Sequence, residues 1–182
     1  MNNAIGGVEL NSLAKGFEVA DAMLKTSAVE LVLSRTVCPG KFIVLVAGDV
    51  AAVTASVEAG AAKAAHALVD QFAIPNIHPE IFPAIAGGAP VDKLEALGII
   101  ETFSVSSLIE AADAAVKAAP VKLIEIRLAM ALGGKAFATM TGEVAAVECA
   151  VNAGAAVAGK RGLLVDKVVI PQPRQELLRE TL

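Results

Sequence analysis

The chain repeats itself. Gly6, Ser12, Asp21, Ala22, Lys25, Val29 and Leu31 recur in the same order as Gly98, Ser104, Asp113, Ala114, Lys117, Val121 and Leu123. Past a short insertion, Lys41, Gly48, Val50, Val53, Val57 and Gly60 return as Lys135, Gly142, Val144, Val147, Val151 and Gly154. After another, Val69, Asp70, Ile74 and Pro75 return as Val165, Asp166, Ile170 and Pro171. Glu9 and Glu101 are set aside as out of register. A duplication that spans nearly all of 182 residues requires each half to form the same domain around its own core. The halves meet at Gly87-Gly88-Ala89-Pro90, a turn-rich run that reads as a linker. Residues 1–88 and 89–182 are therefore the two expected domains.

Within each half the same coarse pattern appears. A short strand (4–10; 97–102) leads to a helix opened by Ser12 or Ser104, both good N-cap residues. In the first helix Leu13, Phe17, Ala20 and Leu24 fall at helical spacing and define its expected apolar face. Two strands follow (29–36 with 41–47; 121–128 with 135–141), joined by turns that contain Pro39-Gly40 and Gly133-Gly134. A second helix starts after Asp49 or Glu143, where an acidic group favours the positive end of the helix dipole. In the first half it carries Val50, Val53, Val57, Ala61 and Ala64 at helical spacing. A last strand ends at Ile74-Pro75 or Ile170-Pro171, and a short helix is expected from Arg174. The fold class is α+β, a two-layer domain with an antiparallel-rich sheet, present twice.

Composition excludes several functions. Apolar residues make up 55% of the chain, with six Phe and neither Trp nor Tyr, so the apolar mass is aliphatic and extensive subunit contacts are expected. Its apolar runs, such as Phe42 to Ala47 and Leu97 to Ile100, are too short to span a bilayer, and no secretory signal is visible, which makes the cytoplasm the expected location. A net charge of −4 with no basic stripe argues against nucleic acid. Gly40-Lys41 and Gly133-Gly134-Lys135 lack the Ser or Thr that a phosphate loop needs after its lysine. His66 and His78 are the only histidines and do not form a zinc pair, and no carboxylate pair suggests acid–base catalysis. Cys149, inside the second helix of the second half, matches Ala55 and reads as a buried structural thiol.

Ala20-Asp21-Ala22-Met23-Leu24-Lys25 and Ala112-Asp113-Ala114-Ala115-Val116-Lys117, each followed by a Val-led strand, a Gly-Lys turn and a Gly-Asp/Glu-Val-Ala-Ala-Val helix start, resemble the bacterial microcompartment shell family. The likeness covers both halves. Thr36-Val37-Cys38-Pro39-Gly40-Lys41-Phe42 and Asn76-Ile77-His78-Pro79 look most like the tandem-domain members of propanediol-utilisation compartments. The resemblance implies two tandem BMC domains of ferredoxin-like kind, and a homotrimer that imitates a hexamer and tiles edge to edge with neighbouring shell proteins. Enclosed enzymes would be further partners; no enzyme activity, nucleic acid or membrane is implied. It also implies a tile-edge role for Lys25 and Lys117, and for His78 and Arg174 after the last strands; read alone, the two lysines are solvated helix ends.

The same resemblance places the family's pore-lining loop at Val37, Cys38, Pro39 and Gly40, with Leu132, Gly133 and Gly134 in the second half. By residue type alone Cys38 is a small apolar residue at a strand end. One thiolate per chain cannot hold an iron–sulfur cluster, but a threefold axis through the turn would bring three together. The resemblance implies such a [4Fe–4S] cluster, one per trimer, with Cys38 as cofactor and metal ligand and with electron transfer or cluster delivery as its use. Two alternatives stay open: a tile with a plain metabolite pore, and an oligomeric ferredoxin-like regulator that binds a small molecule.

Overall fold

The structure, a computed structural model, describes residues 3–88, 91, 93–129 and 133–177. The first half runs β1 (Ala4–Leu10), α1 (Leu13–Thr26), β2 (Glu30–Val37), β3 (Lys41–Gly48), α2 (Val50–Ala64), a single 3-10 turn (Ala65–Ala67) and β4 (Leu68–Pro75). Then come α3 (Ile81–Ile85), β5 (Ala96–Thr102), α4 (Val105–Ala118), β6 (Lys122–Leu128), β7 (Ala136–Gly142), α5 (Val144–Lys160) and β8 (Leu164–Pro171). Each half forms one antiparallel four-stranded sheet, ordered β2-β3-β1-β4 in the first and β6-β7-β5-β8 in the second. Even the irregularities repeat: the ladder slips at Glu9/Leu10 and Leu31/Leu33 in one copy, and at Glu101/Thr102 and Leu123/Glu125 in the other.

The expected helix starts are capped as the sequence suggests. Ser12 Oγ accepts from Lys15 N at 3.3 Å and Ser104 Oγ from Ser107 N at 3.4 Å. Asp49 Oδ1 accepts from Ala52 N at 2.9 Å, whereas Glu143 caps α5 by position, without a side-chain hydrogen bond.

Several of the repeated residues turn out to touch one another. A Cβ on Gly6 would lie 2.7 Å from methyls of both Val53 and Val57, and one on Gly98 would lie 2.6 and 2.7 Å from Val147 and Val151. The second helix of each half therefore packs directly on bare backbone of the central strand, which only glycine permits. Around that contact Val8, Leu10, Val44 and Val46 of the sheet meet Val19, Met23, Val53 and Val57 of α1 and α2. Fully burying each such side chain contributes about 1.5–3 kcal/mol.

Three expectations need correction. The buried face of α1 is Gly16, Val19, Ala20 and Met23, while Leu13, Phe17 and Leu24 are exposed. Glu9 and Glu101 are equivalent after all: each opposes the residue two beyond a lysine, Ile43 and Phe137 respectively, and each pairs with that lysine, Lys41 or Lys135. Cys149 is exposed, not buried, because it sits on the solvent side of α5, with Sγ 3.8 Å from the Ala118 carbonyl oxygen. The helix expected from Arg174 lies mostly outside the described residues, which show its first turn, with Leu177 N donating to Arg174 O at 3.1 Å.

The chain divides into compact units at Met1–Ile77 and His78–Leu182, so the residues between His78 and the Gly87–Gly88 turn pack with the second unit. Three contacts explain this. His78 N donates to Asp113 Oδ1 at 2.8 Å, Leu123 N donates to Glu80 Oε2 at 3.0 Å, and Ile81 is fully buried.

Candidate functional site

The turn that carries Cys38 is built by β2 and β3. Their ladder closes on the pair Val37 and Lys41, leaving Cys38-Pro39-Gly40 as the tip. Val37 is buried and anchors the tip; Cys38 is half-buried, and Pro39 and Gly40 are exposed. The Cys38–Pro39 peptide is cis. Gly40 has φ +69° with nothing near its Cα where a Cβ would project, so it is the backbone conformation that calls for glycine there. The matching turn of the second unit has Gly133 at φ +61° and Gly134 at φ +89°; Leu132 lies outside the described residues.

At the foot of each turn stands an ion pair whose glutamate, Glu9 or Glu101, was set aside in the repeat. Lys41 Nζ lies 2.8 Å from Glu9 Oε1, and Lys135 Nζ lies 2.5 Å from Glu101 Oε1. Glu9 is buried, so its carboxylate needs that lysine. The signal that could have found it was there: a Glu in the central strand of both halves, with a Lys at the first position of the strand beside it or just before it.

Cys38 is a free thiol. Among the described residues no group of three or more His, Cys, Asp or Glu side chains is placed to hold a metal within one chain. The donor set of a single chain at this turn is thus one thiol, which fits a cluster only if symmetry supplies the others.

The other nominated residues lie at helix and strand ends. Lys25, at the end of α1, pairs at 2.7 Å with Asp21, and both are largely exposed. Lys117, at the end of α4, pairs at 2.5 Å with Asp113, which is buried. Asp113 thus binds two partners, Lys117 through Oδ2 and the His78 backbone through Oδ1. His78 Nδ1 in turn accepts from Glu80 N at 3.4 Å. Arg174 is exposed and pairs at 2.7 Å with Glu176; this contact holds the guanidinium above its ordinary range and the Glu176 carboxyl below the usual carboxylate range. Sequence reasoning missed Glu80 and the double role of Asp113.

Two units with one sheet order, one set of close helix–sheet contacts and one exposed glycine turn each make this a protein of two copies of one α+β domain. The family model for the BMC domain matches residues 4–77 and again 96–173. The chain belongs to the BMC-domain family: it is a structural shell protein of a bacterial microcompartment and not an enzyme. It is 46% identical to the bacterial microcompartment shell protein PduT of Citrobacter freundii, over 99% of this chain and 98% of that one. It is 49% identical to the shell protein EutM of Salmonella typhimurium over 84 residues, 46% of this chain and 85% of EutM. A microcompartment protein from Desulfitobacterium hafniense, known from a crystal structure, superposes with a TM-score of 0.93 at 56% identity, covering 97% of this chain and 98% of its own. No helix among the described residues is long and apolar enough to cross a membrane.

Proposed function

We propose that three chains close into a pseudohexagonal tile whose central pore is ringed by the turns at 37–40 and 132–134, and that three Cys38 thiolates there hold one [4Fe–4S] cluster. The observation that carries this is the half-buried free thiol at the tip of the first unit's exposed turn, with Gly133 and Gly134 in the matching turn of the second. Alternation of the two turns around a threefold axis gives three sulfurs and leaves one iron for a ligand from outside the protein. A cluster held so supplies one-electron transfer, which suits passage of electrons across the shell. Val37, by its burial, and the Glu9–Lys41 pair fix the root of the turn and so the position of the sulfur. At the outer rim Lys25, Lys117, His78 and Arg174 present their side chains to neighbouring tiles. In this reading 1–88 and 89–182 are the two repeats of each chain, with the end of the first repeat, from His78 on, packed on the second compact unit.

Anaerobic purification with iron reconstitution tests the cluster. The expected protein is brown, with broad visible absorption and a paramagnetic signal on reduction, and Cys38→Ala loses both while native mass still reports a trimer. Colour that survives Cys38→Ala sinks the ligand assignment; a colourless wild-type trimer leaves a plain metabolite pore.

A further inference from the structure

The segment after β4 and the segment after β8 are the same piece of sequence: His78, Glu80 and Ile81 correspond to Arg174, Glu176 and Leu177. They also leave their sheets in the same way. Asn76 has φ +52° and Gln172 has φ +50°, both non-glycine residues in the left-handed region at the same step beyond the last strand. The first of these segments is docked. Its backbone binds Asp113 through His78 N at 2.8 Å, its Glu80 carboxylate accepts Leu123 N of the edge strand β6 at 3.0 Å, and Ile81 is fully buried.

The surface equivalent to that dock is bare. Asp21 and Leu31 of the first unit match Asp113 and Leu123, yet Asp21 and Leu31 are exposed where Asp113 and Leu123 are buried. The same contrast runs along the helix: Leu13, Phe17 and Leu24 are exposed, and their matches Val105, Ile109 and Val116 are buried. Leu31 is the second residue of the edge strand β2, as Leu123 is of β6. The second segment meanwhile is exposed at Arg174, Glu176 and Leu177, with its root pinned to its own unit by Gln175 Nε2 donating to Leu94 O at 3.0 Å.

We infer that residues Arg174–Leu177 dock on the first unit of a second copy of this chain, with Arg174 N donating to Asp21 and Glu176 accepting Leu31 N as Glu80 accepts Leu123 N. This deepens the trimer reading, on which it rests, by naming the segment that ties one chain to the next. The rearrangement it needs is small: Glu176 exchanges its exposed pairing with Arg174, worth little in water, for a backbone N–H at a sheet edge. Each chain offers one tail and one dock, so the contact is head-to-tail and closes into a ring.

A photo-crosslinking side chain placed at Leu177, in a mixture of isotope-light and isotope-heavy full-length chains, tests this together with native mass. The expected result is a trimer with light–heavy crosslinks from residue 177 to the 21–33 stretch. In the trimer, Leu31 N–H exchange should become about tenfold faster in Glu176→Ala, the loss of one hydrogen bond to a charged acceptor. A trimer whose crosslinks fall elsewhere, or whose Leu31 N–H is indifferent to Glu176, overturns the docking and leaves the trimer standing. A monomer by native mass removes the trimer reading itself, and the docking with it.

Discussion

Glu9 and Glu101 occupy one position in the fold but not one environment. Glu9 is buried and its partner Lys41 is partly covered, whereas Glu101 and Lys135 are both more open to solvent. Removing a lysine from a buried pair strands a carboxylate, which costs about 3 kcal/mol or more, while an exposed pair contributes at most about 1 kcal/mol. Lys41→Met should therefore lower stability by about 3 kcal/mol in chemical denaturation and Lys135→Met by less than about 1. Equal losses would mean that burial does not separate the two sites. Gly154 gives a second case: a Cβ there would sit 2.5 Å from the Ala111 carbonyl oxygen, a backbone atom that cannot swing aside. Gly154→Ala is expected to destabilise by about 1–3 kcal/mol, read as a lower unfolding temperature, despite alanine's higher helix propensity. At this scale the sequence was informative where the repeat kept a residue for packing, as at Gly6 and Gly98. It was misleading at Cys149, because an Ala-rich neighbourhood looks equally apolar on the buried and the solvent side of a helix.

At the scale of elements, the eight strands and four long helices among the described residues were legible, because caps and turn residues mark their ends and the pattern comes twice. The short helix α3 was not, since Pro79 and Pro83 break up its local signal and its place is set by Asp113 and Leu123, far along the chain. The face of α1 was assigned wrongly for a related reason. Its large side chains and its small ones both recur at helical spacing, and the sheet takes the face with Gly16, where a Cβ would strike the Phe42 ring at 2.3 Å. The opposite side of α1 carries Glu18, which bridges Lys15 at 2.7 Å and Lys63 of α2 at 2.5 Å. Hydrogen bonds to Lys15 and then Lys63 bring its carboxyl down from the ordinary 4.5 to about 2. A depressed folded pKa means that the stabilisation is complete above about pH 4.5 and is lost as the pH falls toward 2. The gap in unfolding temperature between wild type and Glu18→Gln should accordingly close between those limits, and close also at neutral pH in high salt, because the bridge is exposed.

For the whole molecule, the decisive comparison is between one residue and its duplicate. Phe17 is 68% exposed and Ile109 is fully buried, although both stand at the same position of the same helix. Within one chain Phe17 has little beyond a tilted ring contact with Phe42, at 5.1 Å between centroids. Phe17→Asp should therefore change the stability of the single chain by about 0.5 kcal/mol or less, the usual range for a surface site. Ile109→Asp puts a carboxylate where no water reaches and should cost about 3 kcal/mol or more, enough to unfold a marginal domain. The outcomes separate again on assembly. If the exposed face of α1 is covered by the next chain, Phe17 is buried there and contributes about 1.5–3 kcal/mol per contact, so Phe17→Asp should weaken the trimer by tenfold or more at each interface. Native mass at falling protein concentration reads this directly, alongside circular dichroism that stays folded. A Phe17→Asp chain that is both fully folded and as trimeric as the wild type would show that this apolar face lies open in the tile, and that the excess of aliphatic surface which first suggested subunit contacts is spent elsewhere.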